Sequence, residues 1–166
     1  MLEVNMRVFF PKGDTGFFPD YRRHMEMIRK ELKGKVEACM DGRDEAQIYQ
    51  YYSISPLGYV ETCWLRRMGI GKSIVCIKEG IADFTEEYSR RRHIPVIFKN
   101  AMGEYLKRYL NLFDYIVVED FCVAKTLRQE GVNRPKICRI SPETGTQEEA
   151  AFMWLRLYRK CLAGTV

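Results

Sequence analysis

Histidine occurs only at His24 and His93, and no CxxC pair stands anywhere in the chain, so the ligand spacing of a zinc site is missing. No GxSxG element occurs and no cysteine is flanked as a nucleophile, which leaves hydrolytic and thiol chemistry without support. Neither GxGxxG nor GxxxxGK[ST] is present, so the common dinucleotide and P-loop fingerprints are excluded. No apolar run approaches the roughly 18 residues of a membrane span. The opening Met1-Leu-Glu-Val-Asn5 lacks the charged-then-apolar form of a secretion signal, so a cytoplasmic protein is expected. Internal repeats and low-complexity tracts are absent, and no nucleic-acid-binding motif accompanies the basic residues.

What is present describes a folded domain. At 166 residues and 46% hydrophobic content, the chain can bury one good core but is short for two. Its six cysteines are scattered singly, several inside apolar runs such as Ser73-Ile-Val-Cys-Ile77, where a thiol behaves as a small hydrophobe. Reduced core cysteines and a reducing compartment follow. The net charge of +5 gathers in Arg22-Arg23, Arg66-Arg67, Arg90-Arg91-Arg92 and the segment from Arg156 to Lys160. These are either solvated helix faces or contacts for phosphate or an anionic membrane surface.

Short β-type runs alternate with amphipathic stretches, which implies an α/β, doubly wound, mostly parallel sheet of Rossmann-like type. Seven strands are predicted: Met6 to Phe10, Lys35 to Met40, Gln47 to Tyr52, Lys72 to Ile77, Ile94 to Phe98, Tyr115 to Val118 and Lys136 to Ile140. Helices are predicted from Pro19 to Leu32, from a Ser55 cap to Met68, around Asp83 to Arg92, and from Met102 to Phe113. Two more run from an Asp120 cap to Gln129, and from a Thr146 and Glu149 capping box to about Leu162. The polar turn Asp41-Gly-Arg-Asp44 joins strands two and three. The expected organisation is a Rossmann-like domain over 1–140, a linker over 141–146 and a C-terminal helix over 147–163 that packs on the same domain.

Open α/β sheets bind ligands beyond the carboxyl ends of their strands, so the candidate substrate-binding residues come from the loops there. They are Gly13, Asp14, Thr15 and Gly16 after the first strand, Tyr52 after the third, and Lys78 and Glu79 after the fourth. Lys99 and Asn100 follow the predicted fifth strand, and Glu119 and Asp120 the sixth. Each has a plainer reading: a tight turn for the glycine loop, a helix cap for Asp120, an exposed strand end for the lysines. The two histidines stand among arginines and read as surface residues.

Several pieces in order resemble the N-terminal, acceptor-side domain of family-4 (group 1) glycosyltransferases of the two-domain GT-B arrangement. They are the first strand with its loop through Gly16, Ser55-Pro-Leu-Gly58 with its helix, and Leu110-Asn-Leu-Phe-Asp-Tyr-Ile-Val-Val118 with the segments Ala124 to Leu127 and Gly131 to Ile140. Thr146 to Leu162 is similar to the terminal helix that crosses back onto the first domain in the full-length enzymes. The resemblance implies one half of a retaining enzyme that moves sugar from a nucleotide-sugar to a sugar or lipid-linked acceptor. The donor-binding domain would lie outside this chain, with the join near Ser141 to Gly145, and the isolated chain would be inactive. No cofactor and no nucleic-acid partner are implied. A peripheral site at an anionic membrane and a separate donor-domain partner are both compatible with it. Arg66, Arg67 and Lys72 would suit a phosphorylated or lipid-linked acceptor. The pattern departs from the family at Tyr51-Tyr52 and Lys78-Glu79, where a His is frequent, and at Asp120, where Ser is usual. A nucleotide- or dinucleotide-binding Rossmann protein and a non-catalytic partner subunit of a split transferase remain as alternatives.

Overall fold

The computed structural model describes residues 6–11, 21–40, 45–52, 54, 56–141 and 145–164. The chain runs β1 (Met6–Phe9), α1 (Tyr21–Glu31), β2 (Val36–Cys39), β3 (Ile48–Tyr51), α2 (Pro56–Met68) and β4 (Lys72–Ile77). It continues through α3 (Ile81–Arg92), α4 (Val96–Leu110), β5 (Tyr115–Val118), α5 (Phe121–Gln129), β6 (Lys136–Arg139) and α6 (Gln147–Ala163). All strand pairs are parallel, in one six-stranded sheet of order β2-β1-β3-β4-β5-β6. The Rossmann-like α/β architecture is therefore as the alternation of elements implied. The predicted start of α1 at Pro19, the Ser55 cap and the turn over 41–44 lie outside the described residues.

Among the described residues the strand count is six, not seven. Ile94 to Phe98 is no strand: Pro95 sits at the N-cap of α4 with φ −57°, and the Phe98 N–H donates to the Pro95 carbonyl at 3.0 Å. The ladder passes from β4 directly to β5, pairing Ile74 with Tyr115 and Ile77 with Val118, so no place for an extra strand exists between them. A short apolar run with a proline fits a strand start or a helix start equally well in sequence. Here Leu106, Tyr109 and Leu110 anchor a buried helical stripe, and the helix extends back from it to the first proline it meets.

The two faces are covered by different means. Phe9, Tyr49, Val75, Ile77, Ile116 and Val118 pack with Leu65, Leu106, Tyr109, Leu110 and Leu127 from α2, α4 and α5. On the opposite face Val8, Ile48, Ile74, Tyr115 and Val117 pack with Met25 and Ile28 of α1 and with Trp154, Leu155 and Tyr158 of α6. Right-handed crossovers explain the split: β1 to β2 moves one way along the sheet and β3 to β4 the other, so their helices fall on opposite faces. Among the described elements α1 is the one crossover helix on its face, and α6 completes that layer.

Two polar clamps fix the frame. Asp114, just before β5, accepts from the Ser73 N–H at 2.9 Å and from its hydroxyl at 3.2 Å, tying the starts of β4 and β5. At the other edge the Glu130 carboxylate accepts from the N–H groups of Ile81 and Ala82 at 2.7 and 2.8 Å, filling the N-terminus of α3 from the end of α5. Gly80 permits this approach, since a Cβ there would lie 2.7 Å from Thr126. Glu130→Ala is expected to cost about 1–3 kcal/mol, because two amide donors lose a charged acceptor. Urea denaturation of the variant against the parent reads the difference.

Candidate functional site

The topological switch point lies between β1 and β3, whose following helices leave for opposite faces, which is where open α/β sheets carry their ligand crevice. Phe10 and Pro11 continue β1, and Tyr52 and Ile54 follow β3. Lys78, Glu79 and Gly80 follow β4, while Glu119 and Asp120 follow β5. The register sets these at one edge, with Ile77 opposite Val118 and Val118 opposite Arg139. Lys78 Nζ lies 4.0 Å from Glu119 Oε1, and the Arg139 Nε–H donates to the Glu119 carbonyl at 3.0 Å. Arg139 also lies over the exposed ring of Phe121 at 4.9 Å. A row of alternating charge thus crosses the ends of three adjacent strands.

Beside the start of that row, on the α3 and α4 side, is a partly open cavity of about 220 Å³, lined by Ile54, Ile77, Ile81, Phe84 and Leu106 together with Lys78 and Glu79. This is below the range of roughly 300–1,000 Å³ common for pockets that take a drug-sized ligand, so it suits a single ring or short apolar group. Burial, reinforced by the carboxylates of Asp83 and Glu87, raises the Glu79 carboxyl above its ordinary pKa. Its proton is held more firmly than that of an exposed glutamate.

A second polar group lies on the α1 and α6 side. Gln50, central in the otherwise apolar β3, donates to the Tyr52 hydroxyl at 2.6 Å and accepts from the Tyr158 hydroxyl at 2.6 Å. Its amide nitrogen also stands 3.4 Å from His24 Nε2 and 3.7 Å from Cys76 Sγ. His24 meets the Trp154 ring edge-on at 4.5 Å and Tyr52 at 5.4 Å. Burial pushes the imidazole down to about 3 and the Cys76 and Tyr158 protons up. The cluster is neutral near pH 7, and its hydrogen bonds orient Tyr52 at the crevice.

Tyr52, Lys78, Glu79, Glu119 and Asp120 therefore come together at the carboxyl edge. Asp120 is already engaged there, since its side chain caps α5 by accepting from the Cys122 N–H at 2.9 Å. Gly13, Asp14, Thr15 and Gly16 lie outside the described residues. Lys99 and Asn100 do not belong to a strand-end loop. Both sit in α4, where Lys99 pairs with Glu86 at 2.8 Å, because the predicted fifth strand is the start of that helix. Arg66, Arg67 and Lys72 end α2 and begin β4, which puts them at the amino edge, away from the crevice.

No family model, curated protein or solved structure matches the chain. What the site can do rests on its own side chains. Sequence reading missed Gln50, His24, Cys76 and Arg139. His24, taken for a surface residue, is mostly enclosed by aromatic rings, while His93 is exposed as expected. Gln50 had a usable signal: a lone amide inside a strand buried on both faces demands partners. All six cysteines are free thiols, and among the described residues no helix is long and apolar enough to cross a membrane.

Proposed function

We propose that this chain supplies the acceptor-binding half of a retaining glycosyltransferase that uses a nucleotide-sugar donor, the donor-binding half lying outside it. The observation that carries the reading is the course of α6. After β6 it does not join α2, α4 and α5 but crosses to the opposite sheet face, beside α1, the position a returning helix needs. The crevice supports it chemically. An apolar floor suits the hydrophobic face of one sugar ring, and Lys78 and Glu79 beside it offer the donors and acceptors that hydroxyl groups require.

A dinucleotide fits less well. The N-termini of α3 and α5, which could otherwise receive phosphate, already hold the carboxylates of Glu130 and Asp120. Thermal unfolding of the purified chain with NAD, NADP, UDP-sugars, GDP-sugars and simple glycosides tests the reading. A glycoside at a hundred times its Kd should raise Tm by about 5–10 °C, and K78A/E79A should abolish the rise. Silence toward NAD and NADP is expected. A comparable rise with either dinucleotide would overturn the proposal in favour of a dinucleotide-binding protein.

A further inference from the structure

The helices α3 and α4 form an antiparallel hairpin that leaves the body of the domain. Gly103 lies against Ile81 near the sheet, Lys99 pairs with Glu86 farther out, and the chain reverses over His93 to Pro95. Burial fades along α4, though Thr85 and Ser89 of α3 stay buried: Leu106, Tyr109 and Leu110 of α4 are enclosed by the core, whereas Val96, Ile97 and Phe98 are 74%, 78% and 55% exposed. Three consecutive large apolar residues stand exposed at the turn-side end of α4. Arg90, Arg91, Arg92 and Lys99 flank them in the chain, and residues 88–103 contain no Asp or Glu. Glu87 pairs with Arg90 and Arg91 from one turn back, but these are solvent-exposed contacts that a stronger anion can replace.

We propose that this apex docks the protein on an anionic lipid bilayer, with Ile97 and Phe98 entering the interface and the arginines meeting headgroup phosphates. An apolar tip flanked by cations matches both layers of such a surface, since long basic side chains reach outward to the headgroups while the tip is immersed. A protein partner is a poorer match: a specific interface needs about 1,000 Å² of complementary area, and three residues at one end of a helix present only a fraction of it. A second copy of the chain, tip to tip, would set these cations against their equals. The proposal rests on the hairpin alone and stands or falls apart from the transferase reading.

Co-sedimentation of the full chain with phosphatidylcholine vesicles containing phosphatidylglycerol, and with phosphatidylcholine alone, is the test. The chain should pellet with the anionic vesicles and stay in solution with the neutral ones. Each arginine near such a surface is worth roughly fivefold in partitioning, so R90Q/R91Q/R92Q should lower it about a hundredfold. I97S/F98S should lower it at least about tenfold. All these positions are exposed, and circular dichroism checks that both variants keep the fold. Absence of binding to anionic vesicles, or full binding by either variant, overturns the proposal. So does concentration-dependent self-association removed by I97S/F98S in a chain that ignores vesicles, which would identify a second copy as the partner.

Discussion

A chain ended at Ser141 should lose its cooperative unfolding transition and aggregate, although every strand of the sheet would still be present. The removed helix carries Ala151, Trp154, Leu155, Leu157, Tyr158 and Cys161 into one cluster with Val8, Ile74, Tyr115 and Val117. On that face no crossover helix covers β4 and β5, because α2, α4 and α5 pack on the other side. Removing α6 would expose the sheet residues beneath it together with the Gln50 carbonyl, which accepts from Tyr158. Each fully buried large side chain contributes about 1.5–3 kcal/mol, so four or five of them match the whole stability of about 5–15 kcal/mol that a domain has. Trp154→Ala alone should cost about 3–5 kcal/mol, read from urea denaturation followed by circular dichroism. A soluble truncated chain with a sharp melting transition would show that α6 is an appendage, and would also remove the main support for reading it as a returning helix.

The same dependence shows what the sequence could reveal. Local signals were sufficient where chain chemistry decides the outcome: the capping box at Thr146 and Glu149 and the Asp120 cap. The parallel sheet followed from alternation of elements. Ile94 to Phe98 was misread because strand and helix starts share proline and apolar residues, and only the direct pairing of β4 with β5 excludes a strand. That error carried Lys99 and Asn100 into the predicted site, since a residue's place in a crevice depends on which element precedes it. Gln50, His24 and Tyr158 come from β3, α1 and α6, far apart in sequence, and no local pattern brings them together. The edge residues Lys78 and Glu119 were legible for the opposite reason: strand ends in a parallel sheet share an edge, and order along that edge needs only the topology.

Stability should fall between pH 7 and pH 5 by about 1–2 kcal/mol through His24 alone, with the accessible part of the ring taken into account. In the folded protein burial pushes the imidazole from its ordinary 6.5 down to about 3, while the unfolded chain takes up a proton near the ordinary value. The unfolded state therefore binds more protons across that window. The stabilising contribution is complete above about pH 6.5 and is lost progressively as pH falls toward 3. The groups packed around the ring are Gln50, Tyr52 and Trp154, none of which bears a charge that could hold the imidazolium. A histidine kept neutral in this way cannot serve as a cation for an anionic ligand, which leaves Lys78 and Arg139 as the positive charges at the described carboxyl edge. Comparing urea midpoints of the parent and His24→Gln at both pH values isolates the effect, because carboxylates and other titrating groups are common to the two proteins and cancel in the difference. The variant should lose less stability on acidification than the parent does, even if it starts less stable at pH 7 through loss of the Trp154 contact. Parallel losses in the two proteins would mean that His24 is free to protonate in the fold, and that the aromatic enclosure opens to solvent on the side facing the crevice.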